Sequence, residues 1–251
     1  MTPRTRGREA AQALAAELSK LVSLPSTWLT LAGTLAVNLI LALAFAVAGL
    51  QGSTGTMSVI DIGLASISYA QAGFVISGIL AACSEYTGGQ IRITLTAMPR
   101  RTLQLTAKHL ALAIVALPAA AVTAAAGIIL TAVMLGGTAE PLTVGQVAGA
   151  LSGATGYLVL ITLASAAVGA LVRKTLTAVV VLLGYFFIVG PLLRDRLPAA
   201  KYLPDSAGFA MWFPNADASA AVTPGQGALL LTAWTALLIV VALLGYRRRD
   251  T

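Results

Sequence analysis

The sequence predicts an all-α membrane protein with six transmembrane helices and an N-terminal amphipathic helix. Two features of the composition indicate the membrane class. Hydrophobic residues make up 58% of the 251 residues, and charged residues make up only 10%, whereas soluble domains carry about 25% charged residues. A soluble fold could not hide that much apolar surface, so an integral membrane protein is expected.

The third observation is the number of apolar segments. Crossing the hydrocarbon core as a helix takes about 20 apolar residues, because backbone polar groups cannot stay unpaired in lipid. Six segments meet or nearly meet this length: 28–50, 60–83, 103–135, 146–172, 175–193 and 227–246. In the fifth, Gly190-Pro191 is expected to break or kink the far end. In the fourth, the spacing of Gly145, Gly149 and Gly153 predicts the close approach of a neighbouring helix.

The basic residues predict the orientation. Of the 16 Lys and Arg residues, 13 fall in the segments that would share one side of the membrane with the N-terminus. Only Arg194, Arg196 and Lys201 fall in the others. The positive-inside rule therefore places both termini in the cytoplasm. The net charge of +7 comes from basic residues at the ends of the apolar segments, where they set the topology and contact anionic lipid. No nucleic-acid partner is therefore expected.

Residues 1–27 are expected to form a cytoplasmic lead with an interfacial elbow helix, followed by the six-span domain of residues 28–251. In EAAQALAAELSKLVSL, apolar residues recur with helical spacing, which predicts an amphipathic helix in the membrane interface. A solvated lead-in helix is the alternative. Pro25 is expected to end the helix, and Trp28 to anchor the first span at the membrane boundary. The apolar face would carry Leu14, Leu18, Leu21 and Val22, with Glu9, Gln12, Glu17 and Lys20 largely elsewhere.

The connection from about residue 194 to 227 is too long for a simple turn. It contains four aromatic residues, Tyr202, Phe209, Trp212 and Phe213, among three prolines. This composition is compatible with short interfacial or re-entrant helices that form a lid. It is equally compatible with a loosely ordered loop carrying ordinary membrane-interface aromatics.

Catalytic signatures are missing from the sequence. His109 is the single histidine and Cys83 the single cysteine, so an intrachain disulfide and a Cys/His zinc set are excluded. No lysine follows a glycine, which excludes a GxxxxGK[ST] nucleotide-binding loop in the sequence. The polar side chains expected inside the bilayer are chiefly Asn38 and Gln71, which would either line a path or bond to a neighbouring helix.

The stretch SEYTGGQIRITLTAMPRR, residues 84–101, is a basic and polar interruption between spans two and three. Pro99 opens a helix, on which Arg100, Gln104 and Lys108 place polar side chains every four residues. A short cytosolic segment joined to two spanning helices could transmit movement from a soluble partner. The residues alone favour the other interpretation, an ordinary basic loop that obeys the topology rule.

The chain resembles the membrane subunit of bacterial ABC exporters of the second ABC permease type. That family has an elbow with Glu and Lys, six spans, and a loop between spans two and three with Glu, Gly, Pro, Arg and Lys. The matching residues are Glu17, Lys20, Glu85, Gly88, Pro99, Arg101 and Lys108. In one departure, residues 90–96 alternate polar and apolar side chains, as a strand would.

The resemblance implies that residues around 85–98 form a coupling helix that fits a cleft on a separate ATPase subunit. Contacts to the ATPase would come from Glu85, Tyr86, Gly88, Arg92, Pro99, Arg100, Arg101 and Lys108. This chain would hold no cofactor and would not itself be an enzyme, since ATP and Mg would bind the partner subunit. Candidates for the substrate path are Asn38, Tyr69, Gln71, Phe209 and Trp212.

The function expected from the resemblance is export of a hydrophobic or amphiphilic drug, antibiotic, lipid or peptide across the bacterial plasma membrane. The partners would be ATPase subunits, a second permease copy or a paralogue, and the lipid bilayer. A non-transporting sensor or immunity component with the same fold is the alternative. An ion-coupled secondary transporter is a further alternative, which the shortage of acidic residues within the spans disfavours.

Overall fold

The computed structural model describes residues 3–52, 55–84, 101–213 and 222–248, and helices dominate these ranges. Five helices are long and apolar enough to cross a membrane, or six if one bent pair counts as a single span. The expected all-helical membrane architecture is therefore confirmed. The helices are α1 Pro3–Ser23, α2 Pro25–Gly52, α3 Val59–Ala65, α4 Ile67–Cys83, α5 Arg101–Leu135, α6 Val144–Val172, α7 Thr175–Gly184, α8 Gly190–Arg196, α9 Pro204–Phe209 and α10 Pro224–Arg248.

Helix α6 forms the centre of the bundle. It packs against α4, α5 and α10, while α2 packs against α4 and α5. The main buried cluster includes Phe74 of α4 and Leu158 and Ile161 of α6, all fully buried. At one end, here called the far end, the connections after α2 and α5 meet where Met57 N–H donates to the Thr138 carbonyl at 3.0 Å. The opposite end, here called the α1 end, carries α1 and the ends of the helices that flank residues 85–100.

The second span is bent, which the sequence analysis did not predict. Helices α3 and α4 meet at Ser66 with an angle of 41°. The Ser66 hydroxyl donates to the Asn38 side chain at 2.8 Å and lies 3.2 Å from the Gly63 carbonyl. Gly63 also touches α5, because a Cβ there would lie 3.0 Å from the Gly127 carbonyl oxygen. Contacts to α2 and α5 thus hold the bend in place.

The fifth span is continuous where a break was expected. Its helix runs from Thr175 through a π-helical turn, Tyr185–Val189, and into α8. The expectation of a break at Gly190-Pro191 is therefore wrong, whereas a kink there stays a prediction; the π turn lies directly before this pair. Pro191 has no N–H to donate, and the wider π turn directly before it changes the backbone pairing without ending the helix.

Helix α1 packs against α5 with a face that combines apolar and polar residues. Leu14, Leu18 and Leu21 contact the core at the α1 end. Glu17 is only 4% exposed, whereas Val22 is 51% exposed. The position of α5 therefore decides which side of α1 the protein covers. A location of α1 in the membrane interface stays a prediction.

The long connection before the last span contains short helices where the structure describes it. A 3₁₀ helix, Pro198–Tyr202, leads into α9, and both are followed by a turn that ends at Phe213. Trp212 is 1% exposed, and the Trp234 indole N–H donates to the Tyr202 carbonyl at 3.0 Å. The sequence left open whether this connection forms short helices or a loosely ordered loop. Its described part forms short, packed helices. We call residues 198–213 the far-end cap.

Of the three glycines in the α6 repeat, Gly153 lies close to a neighbouring segment. A Cβ on Gly153 would overlap the Met211 carbonyl group of the far-end cap, at 2.8 Å from its carbon atom. At Gly145 and Gly149 a Cβ would meet nothing within 4 Å. The predicted close approach is thus confirmed at Gly153, where the neighbour is the far-end cap rather than a spanning helix.

Candidate functional site

The α1 end holds a group of buried polar side chains where α1 meets the start of α5. Glu17 is paired with Lys20, whose ammonium nitrogen lies 2.8 Å from the Glu17 carboxylate. On α5, Gln104, Lys108 and His109 are each 6% exposed or less. The elbow residues named from the resemblance therefore lie on the helix that covers the beginning of α5. The sequence did not predict the burial of Lys108.

The proposed coupling residues fall mostly outside the described part of the chain. Glu85, Tyr86, Gly88, Arg92, Pro99 and Arg100 lie within residues 85–100, which the structure does not describe. Arg101 is the first residue of α5, but its side chain also lies outside the description. Their contacts with a partner stay a prediction.

The structure does describe the two helices that flank residues 85–100. A cavity of about 60 Å³ is lined by Leu21 near the end of α1, the first turns of α2, the end of α4 and residues 112–116 of α5. Leu21, Leu80 and Leu112 contribute one side chain each from α1, α4 and α5. Residues 85–100 thus connect two helices whose ends lie beside α1, so a displacement of that segment would act on three packed elements at once.

Asn38 is a buried bridge between helices. It is fully buried, its amide N–H donates to the Thr123 carbonyl of α5 at 3.0 Å, and its oxygen accepts from Ser66. The side chain therefore joins α2, α5 and the bend between α3 and α4. Of the two roles considered from the sequence, this geometry is that of a helix-bridging amide.

Gln71 has a similar role between α4 and α6. Its side-chain oxygen accepts a short hydrogen bond from the Tyr157 hydroxyl, and its N–H donates to the Ser68 carbonyl at 2.6 Å. Tyr157 is 3% exposed and its ring packs near Trp212. The bond thus lies within the protein core, next to the far-end cap.

An ion pair joins the far-end cap to α8. The Arg194 guanidinium lies 3.1 Å from the Asp205 carboxylate, which is 4% exposed. Tyr185 of the π turn donates to the other Asp205 oxygen at 3.0 Å, and Arg194 stacks over the Phe209 ring at 4.8 Å. These bonds hold the cap on the fifth span. Phe209 and Trp212, considered as path residues from the sequence, lie in this packed cap.

Tyr69 is the candidate path residue with an open face. It is 49% exposed and lies between Phe45 of α2 and Phe187 of the π turn, at ring distances of 6.1 and 6.3 Å. We call these three side chains the aromatic face. It lies on the outside of the chain, where α2, α4 and the fifth span come together.

The described residues offer no grouping with evident catalytic or metal chemistry. Within the ranges that the structure covers, no three or more His, Cys, Asp or Glu side chains are close enough to hold a metal ion. The chain matches no family model, and no curated protein is significantly similar to it.

Proposed function

We propose that this chain is the membrane-spanning permease subunit of an ATP-driven exporter. It would work with a separate cytosolic ATPase that binds ATP and Mg, and it would move a hydrophobic or amphiphilic substrate outward across the bacterial plasma membrane. The resemblance to ABC permeases of the second type motivates this proposal. The observation that supports it most directly is the arrangement at the α1 end.

At that end, α1 covers the beginning of α5, and α1, α4 and α5 line a common small cavity. Residues 85–100 link α4 to α5. A soluble subunit that pushes on this segment would therefore displace helices that contact the bundle centre, since α4 and α5 both pack on α6. Mechanical coupling requires such a short link between packed helices.

The charges support a cytosolic position for this end. Thirteen of the 16 Lys and Arg residues belong to the α1 end or to connections that share its side, as the positive-inside rule requires of cytoplasmic segments. A cytosolic ATPase would then reach residues 85–100 without crossing the membrane.

A second permease copy would enclose the path. The aromatic face of Phe45, Tyr69 and Phe187 is open on this chain, and aromatic rings suit the binding of apolar and cationic substrates. Pairing two such faces would give an apolar path between the copies. We assign Tyr69 to this path, and we assign the buried Asn38 and Gln71 to helix packing.

The proposal is tested by purifying the chain with its ATPase from the native host and reconstituting the complex in vesicles. We expect ATP hydrolysis that the exported substrate stimulates. Arg101→Glu should reduce this stimulation because it reverses a charge at the segment proposed to contact the ATPase. Arg196→Glu, the same change near the far end, should leave it intact.

Membrane insertion of both variants is checked by fractionation. A complex that never contains an ATPase would contradict the function itself. Equal stimulation in Arg101→Glu and in the unmodified chain would contradict the assignment of the contact.

A further inference from the structure

An apolar cavity of about 500 Å³ lies between α2 and α5, at the α1 end of the bundle. Its walls include Val22 at the end of α1, Trp28 and Ala32 of α2, and Ile114, Pro118 and Thr123 of α5. Trp28 and Ile114 are 54% and 45% exposed, so the cavity opens to the outside of the chain. It lies outside the aromatic face and the proposed coupling segment.

Two hydrogen bonds and one proline delimit this cavity. At its deep end, the Asn38 amide bonds to the Thr123 carbonyl and pins α2 to α5. At its mouth, the Trp28 indole N–H donates to the Val22 carbonyl at 2.8 Å, which ties α2 to the end of α1. Between them, Pro118 in the interior of α5 lines the cavity. A proline has no N–H and cannot donate the regular helical hydrogen bond.

The lining selects an apolar occupant. Among the described residues, no charged side chain lines the cavity. Its polar side-chain groups are already bonded within the chain: the Thr123 hydroxyl donates to the Ala119 carbonyl at 2.8 Å, and the Trp28 indole N–H donates to the Val22 carbonyl. In a membrane, an open apolar space of this size fills with hydrocarbon, because leaving it empty forfeits dispersion contacts on every wall.

The depth of the cavity matches one leaflet. The lining runs from Trp28 to Leu35 on α2 and from Ile114 to Thr123 on α5, which at 1.5 Å per residue is about 11 and 14 Å. The hydrocarbon of one leaflet is about 15 Å thick, half of the bilayer core. Trp28 at the mouth is the residue type that prefers the interface between hydrocarbon and headgroups.

We propose that this cavity binds one acyl chain of a phospholipid from the leaflet on the α1 side. The headgroup would lie at the level of Trp28, beside α1. Helix α1 carries four basic and two acidic residues, a charge balance that favours an anionic headgroup. The inference depends only on the chain spanning a membrane, and it stands or falls independently of the proposed transport function.

The test is native mass spectrometry of the full chain in mild detergent. After delipidation, the protein is titrated with dioleoylphosphatidylglycerol, and the number of retained lipids is counted. Ala32→Phe fills the cavity from an exposed position of α2. Ala44→Phe is the matched control, because it makes the same change at another exposed position of α2 that does not line the cavity.

We expect the unmodified chain and Ala44→Phe to retain one lipid more than Ala32→Phe. In Ala32→Phe, the apparent affinity for that lipid should fall about tenfold or more, since each methylene group expelled from the cavity weakens partitioning about fourfold. Ala32→Leu should give an intermediate loss, which guards against misfolding of the larger variant. Gel filtration verifies that all variants remain folded.

Two results would overturn the proposal. Equal lipid retention by Ala32→Phe and Ala44→Phe would mean that the retained lipid covers the general surface. Before delipidation, a retained mass that is not a phospholipid would mean that the cavity binds another hydrophobic compound.

Discussion

Single buried polar side chains determine which helices are joined in this chain. Asn38 and Gln71 would each be costly in hydrocarbon without partners, and each is bonded to a residue of another helix. Tyr69, by contrast, is half exposed on the aromatic face. The distinction matters for function, because a side chain already saturated by its neighbours has little capacity left for a passing substrate.

Replacing Asn38 should therefore affect stability. Asn38→Leu keeps a branched side chain of similar shape but removes the bonds to Thr123 and Ser66, which we expect to cost about 1–2 kcal/mol of unfolding free energy. Thermal or denaturant unfolding of the purified protein in detergent measures this loss.

The control is Thr30→Val, whose hydroxyl donates to the Ser26 carbonyl of its own helix at 2.7 Å. The loss of unfolding free energy in Thr30→Val should be smaller, about 0.5 kcal/mol or less, because this hydrogen bond involves no second helix. Equal stability of Asn38→Leu and the unmodified chain would contradict the bridging role.

Whole elements of this chain have shapes that follow from their neighbours. The second span bends where Ser66 bonds to Asn38 of another helix, and the fifth span contains a π turn beside the Arg194–Asp205 pair of the far-end cap. Helix α6 accommodates the cap because Gly153 has no side chain. Packing against a neighbour accompanies each of these features, and the π turn also depends on Pro191, which follows it after Gly190 and has no N–H to donate.

The glycine repeat of α6 offers a matched pair of substitutions. Gly153→Ala places a methyl group against the Met211 carbonyl, where backbone must shift, and should cost about 1–3 kcal/mol. Gly149→Ala meets open space and should leave stability unchanged or raise it by up to about 1 kcal/mol through helix propensity.

Unfolding midpoints of the two variants, measured side by side in one detergent, provide the comparison. If Gly153→Ala were as stable as Gly149→Ala, the described contact between α6 and the far-end cap would be wrong.

At the scale of the whole molecule, apolar side chains cover the outside as well as the core. Large hydrophobic residues such as Leu29, Val133 and Leu176 are more than 70% exposed. A soluble protein does not tolerate so much exposed apolar surface, whereas a lipid environment accepts it. The charged residues collect near the helix ends, so the molecule presents a hydrocarbon-compatible surface between two polar ends.

The orientation predicts the outcome of reporter fusions. Alkaline phosphatase fused after Gly137 should be active, because that connection is expected outside the cell. Fusions after Arg173 and after Thr251 should be inactive, and green fluorescent protein at those two positions should fluoresce. Expression is compared by immunoblot. An active phosphatase after Arg173 would reverse the topology and remove the route by which a cytosolic ATPase reaches residues 85–100.

The sequence by itself predicted six spans, their approximate limits and their orientation; the structure has five helices that could cross a membrane, or six if the bent pair counts as one span. These properties depend on summed hydropathy over about 20 residues and on charge placement, which are local quantities. It also contains two capping boxes. Thr143 and Gln146 lie at the start of α6, and Thr223 and Gln226 lie at the start of α10, each pair with reciprocal hydrogen bonds.

Only the tertiary structure decided the role of each polar residue. Glu17 is buried because α5 lies against that side of α1, and Asn38 bridges helices because Thr123 and Ser66, distant in sequence, come within hydrogen-bond reach. The bend at Ser66 and the cavity beside Pro118 likewise depend on how neighbouring helices meet. Periodicity identifies which residues share a face of a helix, but the partner of that face is set by packing across the whole chain.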